Sequence, residues 1–247
     1  MPDARRIHGQ RQTRGLESWQ SRFRARLALP AAMSPAAAFV AAAFVTIFLV
    51  TPSGHALDMT SPGKDWTEAY RKNDLVIFTK DIGHAYEILA VSELEVAPGM
   101  IFDVLRDFEH YPEFMPYVQE SRVLSRINDF DLITYARVAP PFVSERDYSL
   151  HVTMSRGSRL NGGVFKLEWT AAPEAQAEVT GVVRVKLNEG AWIVEPMDGG
   201  KRTRLTYRVR TNPGGLIPSF AVNWSHTVSI PELFEAVRKR AEQSHVR

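Results

Sequence analysis

The chain has 247 residues, no cysteine and a formal net charge of +2. Without cysteine there is no disulfide framework, thiolate zinc site or cysteine nucleophile. The balance of charge conceals an asymmetry. Residues 1–32 carry seven arginines against Asp3 and Glu17, whereas the part from Leu57 onward holds 23 basic and 26 acidic side chains. A mildly acidic body argues against a nucleic-acid-binding surface.

The basic start leads into Ala36 to Val50, an uncharged and mostly apolar run, then Thr51-Pro52-Ser53-Gly54-His55-Ala56. Basic leader, short apolar run and small-x-small ending form the pattern of a secretory signal peptide, with cleavage expected after Ala56. The run is shorter than the ~20 residues of a spanning helix; with Ala31 to Met33 it could instead serve as an uncleaved anchor over residues 31–50. Two segments follow: a leader, 1–56, and one domain, 57–247, long enough for a sizeable core. The product is expected to be exported, periplasmic or secreted.

Along that domain, Asp65 to Lys72 reads as a short helix and Leu75 to Lys80 as a strand. Tyr86, Ile88, Ala90, Ser92, Leu94 and Val96 alternate with charged positions, as a half-buried strand requires. Pro98 opens a helix with apolar residues at 101, 104, 105 and 108, and Tyr111 to Pro116 is an aromatic, proline-punctuated turn of helix. Strands are predicted over 118–127, 132–138, 147–155, 164–171, 182–188, 192–196 and 203–211, separated by turn-forming groups such as Asn161-Gly162-Gly163. Their apolar faces include Tyr148, Leu150, Val152 and Met154, then Phe165, Leu167 and Trp169, then Leu205, Tyr207 and Val209. Lys166, Glu168, Arg184, Lys186 and Arg204 fall on the opposite, wet faces. An antiparallel sheet covered on one face results.

The cover is the C-terminal segment. Gly214-Gly215 is a backbone-permissive joint, Pro218 suits a first helical position, and Phe220, Trp224, Val228, Phe234, Val237 and Ala241 mark one apolar helical face interrupted by Pro231. Arg146 has the parity of Tyr148 and Val152, so it points inward, either to an anionic or zwitterionic head group or to a structural carboxylate. Arg137 shares a face with Ile133 and Tyr135 whose direction alternation does not settle. Tyr135, Tyr148, Trp169, Trp192 and Tyr207 are either an aromatic lining able to meet a quaternary ammonium or ordinary half-buried strand residues. Histidines lack metal-ligand spacing, no nucleophile elbow or nucleotide-binding loop is present, and Asp147, His151 and Glu168 make no convergent acid/base set. No metal, cofactor or catalytic residue is expected.

Three motifs carry a resemblance. Asn212-Pro213-Gly214-Gly215-x-Ile217-Pro218-Ser219 with Asn223-Trp224 and Ile230-Pro231-x-x-Phe234 resembles the C-terminal signature of the START domain family, its phosphatidylcholine-transfer members included. Pro140-Pro141-Phe142-Val143-Ser144-x-Arg146-Asp147-Tyr148 is similar to that family's entry into a central strand. Ala97-Pro98 through Phe102, Leu105, Asp107-Phe108 and Tyr111-Pro112 resembles the first helix of the wider superfamily, which includes polyketide cyclases. The resemblance implies an α+β helix-grip fold: a curved antiparallel sheet wrapped around a long C-terminal helix, enclosing a hydrophobic tunnel. It also implies binding and transfer of a lipid or other hydrophobic molecule by a monomer at a transient membrane surface. Tyr135, Arg137, Arg146, Tyr148, Val152, Trp169, Tyr207 and Trp224 would be lining residues, with Gly214, Gly215 and Pro218 as the gate. Val152 stands where steroid carriers of the family have an inward arginine, which argues against a sterol-specific cavity. The alternatives are a cyclase or dehydratase using the same pocket and a ligand-sensing module that never transfers.

Overall fold

The computed structural model describes residues 62–244; the leader expected over 1–56 lies outside them. Ten strands form one sheet: β1 (Thr67–Lys72), β2 (Leu75–Asp81), β3 (Tyr86–Leu94), β4 (Val118–Asn128), β5 (Asp131–Val138), β6 (Arg146–Ser155), β7 (Phe165–Ala171), β8 (Val183–Arg184), β9 (Leu187–Met197) and β10 (Arg202–Asn212). The order is β1-β2-β3-β10-β9-β7-β6-β5-β4, antiparallel throughout, with β8 added as a two-residue parallel bridge to β6. Register shifts between Glu68 and Tyr70 and along β4 bend the two edge strands, because an extra residue on one strand raises the local twist.

Two segments differ from expectation. Thr67–Lys72 is a strand, not a helix, and pairs with β2 across a tight turn in which Asn73 takes a φ of 51°. Asparagine tolerates that left-handed conformation, and such turns match the strand twist of a hairpin. The predicted strands 182–188 and 192–196 are divided elsewhere: 183–184 bridges β6, and 187–197 is one continuous strand. Gly190, which falls in the gap between the two predicted strands, is a point of close approach. A Cβ there would stand 2.2 Å from the Arg208 carbonyl oxygen and 2.6 Å from the Trp169 ring.

Three helices lie on the concave face or at its mouth, with α2 (Tyr111–Phe114) as a single turn beside β4: α1 (Pro98–Leu105), α3 (Ser219–Trp224) and α4 (Ile230–Ser244), the last two joined by a π turn over Ser225–Ser229. Pro218 is extended and caps α3 from outside it, one residue earlier than expected. The π turn answers Pro231, whose ring clashes with a carbonyl one turn back and which has no N–H to donate. Ile230 donates to Ser225 in the wider i→i−5 pattern, and the extra residue rotates the helix face by about 100°. Hence the buried row on this helix is Ala221, His226, Ile230, Phe234, Val237 and Ala241, while Phe220 turns outward. Ile230, Phe234 and Val237 join Ile101, Leu105, Val194 and Leu205 in the core, each such side chain contributing about 1.5–3 kcal/mol on full burial. No helix among the described residues is long and apolar enough to cross a membrane.

Candidate functional site

Between the concave face and α4 lies a cavity of about 220 Å³. Leu167 and Trp169 (β7), Trp192 (β9), Tyr207 (β10), and Tyr148, Leu150 and Val152 (β6) form much of its wall, and Ser229 and Leu233 look into it from the helix. The aromatic residues are a contiguous group. Trp169 stacks on Tyr207 at 5.9 Å, Tyr207 meets Trp192 at 4.5 Å, and Trp192 meets Phe234 at 5.5 Å. The glycine at 190 lets Trp169 lie flat across β9, and Asn188 accepts a hydrogen bond from the Trp169 indole at 2.9 Å.

No charged side chain lines this cavity among the described residues. Its ionisable groups are phenols. Burial pushes Tyr148 up to about 12 and raises Tyr111 and Tyr207 further, so all three are neutral hydroxyls at physiological pH. Tyr111 spends its proton on the Leu105 carbonyl.

A second pocket of about 220 Å³ sits at the mouth, between α3 and the loop Pro140–Val143. Ser229 lines both spaces. Arg146 faces this vestibule: its guanidinium donates to the carbonyl oxygens of Pro213 at 3.1 Å and Gly214 at 3.4 Å, and to that of Ser144. Its partners are thus backbone carbonyls, and it makes no ion pair with a carboxylate among the described residues. They fasten the loop before α3, where Gly214 and Gly215 both take a φ of 66°, a conformation costly to any residue with a Cβ. Outside, Phe142 packs on Phe220 at 5.6 Å and on Trp224 at 6.0 Å, and Tyr117 packs on Trp224 at 5.3 Å. Phe142, Leu216 and Phe220 are nevertheless 64%, 97% and 58% exposed. A rim of large apolar side chains therefore surrounds the vestibule.

The structure divides the predicted lining residues. Tyr148, Val152, Trp169 and Tyr207 line the inner cavity, as does Trp192, whereas Arg146 and Trp224 belong to the vestibule. Tyr135 and Arg137 are on the other side of the sheet. In the register Tyr135↔Ser149 and Arg137↔Asp147, while Ala136 opposes Tyr148; residues directly opposed share a face, so Tyr135 and Arg137 turn to the convex side. There the Tyr135 hydroxyl donates to Asp147 at 3.2 Å and Arg137 pairs with Glu145 at 3.2 Å.

Arg184, expected on a wet face, is 9% exposed and holds the fully buried Asp147 through Nε at 2.7 Å and Nη2 at 2.9 Å. The segment between β7 and β8 folds over the convex face and covers the pair. Asn188, Ser229, Leu233, Phe108 and Met115 are lining residues that alternation missed. Phe108 and Met115, apolar residues in the turns next to α1 and α2, signal only packing in the sequence, and Asn188 offers no sequence signal.

A curved antiparallel sheet holding a C-terminal helix over an apolar cavity defines the helix-grip class. The family model described as polyketide cyclase / dehydrase and lipid transport matches residues 94–238. That is more than half of the chain, which belongs to this family. Among relatives, the phosphatidylcholine transfer protein of Mus musculus is 27% identical over 190 residues, covering 74% of this chain and 86% of its own length. The corresponding protein of Homo sapiens is 26% identical over 188 residues, with coverage of 73% and 85%. Among solved structures, a STAR-related lipid transfer protein from Xanthomonas axonopodis matches with a TM-score of 0.64 at 23% identity, over 73% of this chain and 100% of that one. Human StAR-related lipid transfer protein 5 gives 0.64 at 16% identity, over 77% and 93%. The described residues form a START-like domain.

Proposed function

We propose that this protein binds a lipid or other hydrophobic molecule in the inner cavity and carries it between membranes, with the α3 end of the C-terminal helix as the gate. The observation that carries the reading is the aromatic, uncharged lining of a cavity whose neighbouring vestibule is separated from it at Ser229. Each space alone falls below the ~300–1,000 Å³ of typical ligand pockets. Moving the π turn joins them. Burial of ligand surface at ~25 cal/mol per Å² drives uptake, and the exposed Phe142, Leu216 and Phe220 supply the contact with a membrane surface. The carrier acts as a monomer and is exported, the leader being removed after Ala56 or retained as an anchor over residues 31–50.

Catalysis is not part of this proposal. A cyclase or dehydratase requires groups that exchange protons near neutral pH, and the phenols in the cavity hold theirs well above it. Native mass spectrometry with lipid extraction, on protein purified from its own host, tests the reading. One bound amphiphile per chain is expected. An interior that takes up no lipid when the protein is mixed with vesicles overturns the carrier, and turnover of a bound polyketide replaces it with an enzyme.

A further inference from the structure

The polar groups that line the inner cavity are neutral, and most of them make no hydrogen bond within the fold. Thr134 is only 5% exposed and lines the cavity from β5, yet its hydroxyl has no partner among the described residues. The hydroxyls of Tyr148 on β6 and Tyr207 on β10 are likewise unpaired there, in contrast to Tyr111, whose proton goes to the Leu105 carbonyl. Asn188 on β9 supplies a fourth group. An indole N–H only donates, so the 2.9 Å contact from Trp169 identifies the Asn188 amide oxygen as its acceptor. The amide NH2 of Asn188 is left without a protein acceptor among the described residues.

These groups converge. The sheet order β10-β9-β7-β6-β5 sets Tyr207 and Asn188 on one side of Trp169, and Tyr148 and Thr134 on the other, around a single cavity. After burial, the neighbour that raises both Tyr111 and Tyr207 is Tyr148, as expected of phenols gathered in one space.

What such a set can bind follows from its chemistry. A neutral phenol donates a hydrogen bond more readily than it accepts one, and the Asn188 oxygen is already occupied, so the complementary ligand atom is an acceptor. A carboxylate or phosphate oxygen would meet no lysine or arginine in this cavity, and a buried anion without a cation is strongly disfavoured. The acceptor is therefore uncharged. In an amphiphile whose chains lie on the apolar wall of Leu150, Val152 and Leu167, the uncharged acceptors nearest the chains are the carbonyl oxygens of acyl esters. An ether-linked analogue keeps the chains and the head group but lacks those carbonyls, and buried donors left without an acceptor oppose its binding.

We propose that Tyr148, Tyr207, Asn188 and Thr134 form an ester-recognition site that makes the carrier selective for acyl-ester lipids over their ether analogues. The inference rests on the carrier reading above. Competition tests it. The full chain is mixed with vesicles holding equal amounts of phosphatidylcholine with two oleoyl esters and of the analogue with two oleyl ethers. Native mass spectrometry then counts the two forms on the protein, which differ in mass. The ester form is expected to exceed the ether form about tenfold or more, the worth of one net hydrogen bond.

If the protein takes up both forms equally, the ester site is wrong and the carrier stands. If it takes up neither, the carrier falls and the ester site with it. Tyr148→Phe combined with Tyr207→Phe keeps both rings and deletes the hydroxyls, and is expected to lower the ratio severalfold. A double variant that binds lipid with the parent's ratio removes the phenols from the site. Thr134→Val, which exchanges a hydroxyl for a methyl group, is expected to lower the ratio independently, and an unchanged ratio removes Thr134.

Discussion

All five N–H donors of Arg184 are engaged: Nε and Nη2 on the Asp147 carboxylate, Nη1 on the Pro173 and Gln176 carbonyls, and Nη2 again on Ala177. This one side chain pins the covering segment to the convex face and neutralises a carboxylate with no access to water. Replacing it by methionine leaves Asp147 charged and unpaired, which costs about 3–5 kcal/mol. Urea unfolding followed by circular dichroism should show that loss in Arg184→Met. Adding Asp147→Leu should restore only part of it, because the three carbonyls remain without donors. Arg184→Lys is expected to be closer to the methionine variant than to the parent, since an ammonium has three donors and no fork. Alternation through Val183, Arg184, Val185 and Lys186 reads the direction of Arg184 but not its surroundings. The residues that cover it come from its own preceding loop, and a two-residue parallel bridge leaves no periodic trace.

On the scale of elements, the helix from Ser219 to Ser244 differs from its sequence pattern in phase. The apolar spacing names Phe220, Trp224 and Val228 as one face with Phe234, but the π turn shifts everything N-terminal to Ile230, placing His226 inward and Phe220 outward. His226 lines the vestibule beside Arg146, and burial holds its imidazole below the ordinary histidine value. As pH falls through the unfolded-state value, ~6.5, the unfolded chain takes up a proton that the folded one resists. Stability is therefore present above that value and lost as pH falls below it. His110 works in the other sense: its hydrogen bond to Asp107 raises it, giving stability that is present at low pH and lost as pH rises through its elevated value. The comparison with His226→Gln isolates the first effect. Between about pH 7.5 and about pH 5.5 the urea midpoint of the parent is expected to fall more than that of the variant, and parallel curves would show that His226 is already solvated.

Considered as a whole, the molecule arranges cavity and vestibule in a line along one concave face, and its legibility follows that line. The sheet and its covering helix are visible because strand alternation and helical spacing are local signals. Tyr148, Val152, Trp169 and Tyr207 can be placed on the inner face by parity alone, whereas Tyr135 and Arg137 need the β5–β6 register, which depends on a loop length and not on composition. The vestibule is less visible still, since Phe142 and Phe220 lie 78 positions apart in the chain and meet at 5.6 Å only in the fold. That contact bridges the two sides of the proposed gate, and it offers a test of gating separate from lipid affinity. Phe142→Cys and Phe220→Cys, joined by a bifunctional maleimide, fasten α3 to the loop 140–143. The unlinked double variant serves as reference, because removing two exposed rings weakens membrane contact by itself. Transfer of fluorescent phosphatidylcholine between vesicles should fall at least tenfold on linking, equivalent to about 1.4 kcal/mol on the barrier, while lipid loaded beforehand stays bound. A linked protein that still exchanges its lipid at the unlinked rate would place the entrance elsewhere on the molecule.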